Sequence, residues 1–249
     1  MANYKGFVIM MPVILFFFLA LAVEADNTDL DVILKIETQL GVTLEKRTEE
    51  ELGAAWENVG YALDGRRVVG LNLAFFKKIE DLHFLESLPE LRRLCLAVNP
   101  IQDISSLAGL KNLTHLDLSS TYVSDLSPLK SLTKLRELSL WNAPVEDISP
   151  LAYLQDLTHL ELTKTKVWNL EPLKDLRKLE VLKMRGSPVT RLPDWMVSWC
   201  PAVDLHEAFR ECPLQDPPQK FVSADRKGIR LYLGMCSGEP LKKFRNILD

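Results

Sequence analysis

Leu91-Arg92-Arg93-Leu94-Cys95-Leu96 and Leu113-Thr114-His115-Leu116-Asp117-Leu118 are one phrase, L-x-x-L-x-L, written 22 residues apart. It returns at 135–140 and 157–162, and at 179–184 with Met184 in the last place. A fixed period of this kind marks a solenoid, because one unit cannot bury its apolar face alone and stacked units can. In a strand, alternate residues face opposite sides. The Leu residues of L-x-L therefore point inward and the intervening residues point outward. Val68-x-x-Leu71-x-Leu73 begins 23 residues before Leu91 and reads as a degenerate first repeat.

The second half of each unit keeps the same register. Ile104, Leu126, Ile148, Leu170 and Leu192 form one apolar column. Leu107, Leu129, Leu151 and Leu173 form another, with Trp195 in its last place, and Leu110, Leu132, Leu154 and Leu176 form a third. Asp125-Leu126-Ser127-Pro128-Leu129 and Asp147-Ile148-Ser149-Pro150-Leu151 are near copies. Ser caps helical turns and Pro suits their first position, so the convex side is expected to carry short helical or 3₁₀ turns with Ser as the cap.

L-x-x-L-x-L-x-x-N-x-[IV] with a D-[IL]-S-P-L return resembles the 22-residue leucine-rich repeats of bacterial internalin-like proteins. The resemblance covers about residues 68 to 195 and implies an α/β leucine-rich-repeat solenoid, right-handed, with parallel strands on its concave face. It also implies a bacterial source. The family's turn Asn is present only as Asn99; its counterparts are Thr121, Ala143, Thr165 and Ser187. Ala143 has no polar group to satisfy the turn, which is expected to rely on water there.

Four segments follow. Residues 1–25 read as a signal peptide: Lys5, an uncharged apolar run from Phe7 to Val23, then Val23-Glu24-Ala25 for cleavage. The competing reading is a retained membrane anchor, though the run is short for a span and Pro12 interrupts it. Residues 26–67 read as an N-terminal cap. It would hold a helix with Leu30, Ile33 and Leu34 on its apolar face, ended by Gly41, then a helix over 46–56. A tight hairpin at Asp64-Gly65 would complete it. Residues 68–199 are the repeats, and 200–249 read as a C-terminal cap with a helix over about 224–235. Cys212-Pro213-Leu214-x-x-Pro217-Pro218 in that cap resembles the segment closing repeat arrays linked to Roc-type GTPases, which are cytosolic. No G-x-x-x-x-G-K-[ST] occurs, so these residues hold no GTPase site. A Cys200–Cys212 or Cys212–Cys236 disulfide competes with reduced, buried thiols, and Cys95 is expected to be free.

Composition narrows the function. Net charge is -4 with no basic tail, which argues against nucleic acid as a partner. H-E-x-x-H, C-x-x-C, G-x-S-x-G and G-x-G-x-x-G are all missing. What remains is the outward face. Its rows read Arg93, His115, Glu137, His159, Val181, then Cys95, Asp117, Ser139, Glu161, Lys183, then Ala97, Ser119, Trp141, Thr163, Arg185. A fourth is Val98, Ser120, Asn142, Lys164, Gly186. Three readings compete. One is a solvated face of mixed charge with no implied pocket. Another is a protein-binding surface of Arg93, His115, Asp117, Glu137, Trp141, His159 and Glu161, anchored on Trp141. The last is a metal-dependent enzyme site built from His115, Glu137 and His159. The expectation carried forward is an exported, monomeric, non-enzymatic recognition module with a protein partner and no cofactor. Contact with a membrane arises only if the N-terminal segment is kept as an anchor. A cytosolic adaptor related to Roc-linked arrays is the alternative.

Overall fold

The computed structural model describes residues 28–54, 58–199 and 212–214. The expected signal segment, the helix over 224–235, and Cys200 and Cys236 with their pairings lie outside these residues. Helix α1 spans Thr28–Leu40. Strand β1 (Glu45–Arg47), helix α2 (Glu49–Ala54), β2 (Gly60–Asp64) and β3 (Arg67–Asn72) follow. Each further repeat then supplies a three-residue strand: β4 (Arg93–Cys95), β5 (His115–Asp117), β6 (Glu137–Ser139), β7 (His159–Glu161) and β8 (Val181–Lys183). One sheet holds them in chain order, β1 to β8. Every pair is parallel except the β2–β3 hairpin.

The register is that of the 22-residue period. Leu94, Leu116, Leu138, Leu160 and Leu182 pair in line across β4 to β8, and each is buried. The 3₁₀ turns on the far side bury Leu107, Leu129, Leu151 and Leu173 beneath them. The last place of that column belongs to Met196, fully buried, and not to the half-buried Trp195, whose indole N–H donates to Glu171 Oε1 at 3.0 Å.

The caps of those turns also differ from expectation. No N-cap side chain makes the capping bond; an acidic or amide side chain one residue earlier does. Asp125 Oδ1 accepts the Ser127 N–H at 2.8 Å and Oδ2 accepts its hydroxyl at 2.9 Å, and Asp147 treats Ser149 in the same way. Asn169 serves Glu171. These bonds, the backbone N–H foremost, hold the exposed Asp125 carboxyl below its ordinary range. In D-[IL]-S-P-L the Asp is therefore the cap and Ser its partner, as in Asx turns.

The inner turns close without water at Ala143. Its own N–H donates to Leu140 O at 3.0 Å, so the carbonyl is satisfied by backbone alone. Elsewhere side chains do it: Thr121 and Thr165 hydroxyls donate to Leu118 O and Leu162 O, and Asn99 Nδ2 donates to Leu73, Leu96 and Ala97.

The N-terminal elements were read less well. The buried face of α1 is Asp29, Val32, Ile33 and Ile36, whereas Leu34 is 58% exposed. Asp29 sets the rotation: its Oδ2 accepts the Val68 N–H at 2.8 Å and Arg67 Nε–H at 3.0 Å, tying the helix to β3. Removing it by Asp29→Ala strands a buried backbone N–H, and a loss of about 1–3 kcal/mol is expected in chemical unfolding. A change below the error of the measurement would contradict the tie. The expected helix over 46–56 is split into β1 and α2. Thr48 starts α2 with a reciprocal box, Thr48 N–H to Glu51 Oε2 at 2.8 Å and Glu51 N–H to Thr48 Oγ1 at 3.2 Å. β1 forms the sheet's edge, and its run of Glu45, Lys46 and Arg47 keeps that edge charged.

The hairpin turns at Gly65, where φ is +60°, as the Asp-Gly signal predicts. A register shift beside Ala62 lets Val68 and Leu71 face the main core while Val69 joins Ala62 under Leu52 of α2. Gly70 permits this contact, since a Cβ there would stand 2.7 Å from Leu52 Cδ1. α2 is thereby laid over the concave side of the first strands, and this placement shapes the site.

Candidate functional site: the concave groove

Parallel strands spaced about 4.8 Å apart carry the outward residues into rows. Arg93, His115, Glu137, His159 and Val181 pair laterally in that order, and so do Cys95, Asp117, Ser139, Glu161 and Lys183. All ten line one recess of about 520 Å³, with Trp141 on its wall and Leu52 at its N-terminal end. The sequence implied an open sheet with no pocket. α2 supplies the N-terminal wall of the recess through Leu52, and helix position relative to a sheet is not encoded in the repeat period.

Only two rows are fully strand-borne and outward. In the third, Ala97, Ser119 and Thr163 are buried, leaving Trp141 and Arg185 as its accessible members. The fourth row is a turn. Val98, Ser120, Asn142, Lys164 and Gly186 all have left-handed φ, between 53° and 69°. The N–H groups of Val98, Ser120, Asn142 and Lys164 still extend the ladder into the next repeat, Asn142 to Thr163 O at 2.9 Å for example. The single glycine at this place, Gly186, was the available sequence signal.

Charges in the rows have different tasks. Asp117 Oδ1 accepts the Ser119 N–H at 2.8 Å and Glu161 Oε1 accepts the Thr163 N–H at 2.9 Å, so both shape the chain leaving their own strand. Lys183 Nζ lies 3.6 Å from Glu161 Oε2. Arg93 Nε lies 3.9 Å from Glu49 Oε1 on α2. Lys164 Nζ sits 5.7 Å from the centre of the Trp141 ring. Cys95 Sγ lies 3.8 Å from Asp117 Oδ2; burial, with the Asp117 charge adding to it, pushes the thiol up to about 12. It is protonated at neutral pH and a poor nucleophile.

His115 has a defined tautomer. Arg93 Nη2 donates to its Nε2 at 2.8 Å, so that nitrogen carries a lone pair. Nδ1–H then donates to Thr114 Oγ1 at 2.7 Å, and that hydroxyl donates to Arg92 O at 2.9 Å. Burial and the Arg93 charge hold the imidazole below its ordinary pKa, against the pull of Glu137. Acidification from neutral pH therefore protonates the unfolded chain before the folded one. His115 stabilises the fold above its unfolded pKa and loses that contribution as pH falls toward the folded value. Wild type should lose stability relative to His115→Gln between about pH 7.5 and 5.5 in urea titrations; a relative gain would contradict the assignment.

The metal reading is not assembled. Among the described residues no three His, Cys, Asp or Glu side chains converge to hold an ion, and Arg93 occupies the His115 lone pair a ligand would need. The recess also lacks an activated nucleophile among the groups above.

A second depression, of about 450 Å³, lies on the flank between two repeats, lined by Pro144, Glu146, Lys166, Trp168 and Asn169. Trp168 is 59% exposed and its indole N–H reaches Glu146 Oε1 at 3.3 Å. Sequence reasoning passed over this residue because it falls outside the strand rows.

A family model for leucine-rich repeats in two copies matches residues 89–131 and 111–153. Among solved structures the chain is similar to internalin C2 of Listeria monocytogenes, with 31% identity, 59% of this chain and 64% of that chain covered, and a TM-score of 0.52. It is also similar to the internalin inlF of the same organism, at 29% identity over 56% and 44% of the two chains, TM-score 0.48. For the functional domain of InlJ, again from Listeria monocytogenes, the values are 20%, 50% and 27%, with a TM-score of 0.46. The chain thus spans less than two thirds of the length of each of these relatives. No curated protein matches it.

Proposed function

We propose that the chain is a non-enzymatic recognition module that binds a protein partner in the concave groove of its leucine-rich-repeat fold. One observation carries this reading: the register gathers ten outward side chains of mixed charge and Trp141 into a single recess. Leucine-rich-repeat folds are typical protein-binding modules, and the packed Leu columns behind the groove hold its backbone in place. Binding then costs little ordering. The charged groups mentioned above are engaged in pairs and turns, which suits a preformed surface better than acid–base chemistry.

The reading is tested by capture from the native source with wild type, Trp141→Ala and the flank variant Trp168→Ala in parallel. A partner held by wild type and Trp168→Ala, and lost by Trp141→Ala, supports the groove. Loss only with Trp168→Ala moves recognition to the flank and overturns the proposal.

We further propose that the module is exported, on the strength of residues 1–25. A mature N-terminus at Asp26 in an extracytoplasmic fraction supports export. An intact Met1 in soluble cytosol would make it a cytosolic adaptor of the Roc-linked type, and an intact Met1 in membranes an anchored protein.

A further inference from the structure

Three carboxylates line the groove, Asp117, Glu137 and Glu161, against two permanent cations, Arg93 and Lys183. Both cations face carboxylates already: Arg93 faces Glu49, and Lys183 faces Glu161. Asp117 and Glu161 are further committed to backbone N–H groups. Glu137 is the exception. Its side chain is 51% exposed, and among the described residues its only ion-pair partner within 4.0 Å is the His115 ring, at 3.3 Å. That ring has no proton on the facing nitrogen, because Arg93 donates into it. Glu137 therefore presents a carboxylate to the recess with no permanent cation within 4.0 Å among the described residues.

On the same strand direction, two and four residues further on, stand Ser139 and Trp141. The Trp141 face already accepts an ammonium, that of Lys164. A half-exposed carboxylate without a close permanent cation, in a recess with an aromatic wall, suits the methylene stem and charged head of a long basic side chain. An acidic side chain would meet three carboxylates instead.

His115 on β5 and His159 on β7 flank Glu137 in register. His115 is faced by Arg93 and Cys95 on β4, by Asp117 on its own strand, and by Glu137 with Arg136 beside it on β6. His159 is faced by Glu137 on β6 and Val181 on β8, with Glu161 on its own strand and Thr158 bonded to Nδ1. Among these, Glu137 is the shared neighbour, and no permanent cation stands at the register position on either side of it.

We propose that Glu137 seats a lysine or arginine side chain of the protein partner. This rests on the concave-groove reading and gives that reading a partner chemistry.

The test is an NMR titration of the full chain with a hexalysine amide, and separately with a hexaglutamate amide, at about pH 7.5. Hexalysine should shift the amides of β5 to β7. Its affinity should fall about fivefold in Glu137→Gln, as expected for one partly exposed ion pair. Preference for hexaglutamate, an unchanged affinity in Glu137→Gln, or shifts confined to the 3₁₀ turns would each overturn the seat. Failure here with Trp141→Ala still abolishing capture would remove the seat alone. Capture that ignores Trp141 would remove the groove reading itself.

Discussion

Leu138→Ala is expected to lower the free energy of unfolding by about 3–5 kcal/mol. Leu138 is 2% exposed and stands at the centre of the inward column, in register with Leu116 before it and Leu160 after it. A repeat array holds each unit by its own packing and by the interfaces with both neighbours. The neighbouring strands are fixed by their own ladders, so the cavity left by the truncation cannot collapse. Leu182→Ala, at the last described strand, should cost less. Urea unfolding of the full chain, followed by circular dichroism, measures both. Equal costs, or a loss below about 1 kcal/mol at Leu138, would mean that the column is not the shared core it is taken to be.

Trp141→Ala should raise the dissociation constant for the captured partner at least about thirtyfold, the loss of some 2 kcal/mol that marks an aromatic anchor. The side chain is only half-buried, and it lies on the groove side of the sheet away from the Leu columns, so the midpoint of thermal unfolding should hardly move. Separating affinity from stability is the point of the comparison. A variant that binds as wild type does would leave the groove without its anchor.

The period made the scaffold legible. L-x-x-L-x-L at a constant spacing dictates which side chains can be inside, and the lateral pairs of Arg93, His115, Glu137 and His159 follow from counting. What counting cannot supply is anything set by contacts outside the repeat. The rotation of α1 depends on Asp29 reaching Val68, and the N-terminal wall of the groove depends on Leu52 lying over Gly70. The fourth row failed for a local reason: a chain that must leave the strand turns through left-handed φ, and Val98 or Lys164 gives no hint of it where Gly186 does. Two signals were present and unread. Thr48-x-x-Glu51 marks the start of α2, and the Asp of D-[IL]-S-P-L marks the convex turns at Ser127 and Ser149.

Charge roles were the least legible part. Asp117, Glu137 and Glu161 look equivalent in the rows. The structure divides them into two that hold turns and one that faces the recess beside a neutral imidazole. That division depends on hydrogen bonds made after the strands have been placed, and it is what turns a mixed-charge surface into a site with a preference.

Hydrogen–deuterium exchange of the full chain, with and without the captured partner, tests the central claim most directly. Partner binding should slow exchange in peptides covering β4 to β8 and residues 139–142, and leave the 3₁₀ turns at Ser127–Ser131 and Ser149–Tyr153 unchanged. Protection confined to those turns, or to the flank around Trp168, would contradict recognition through the concave groove.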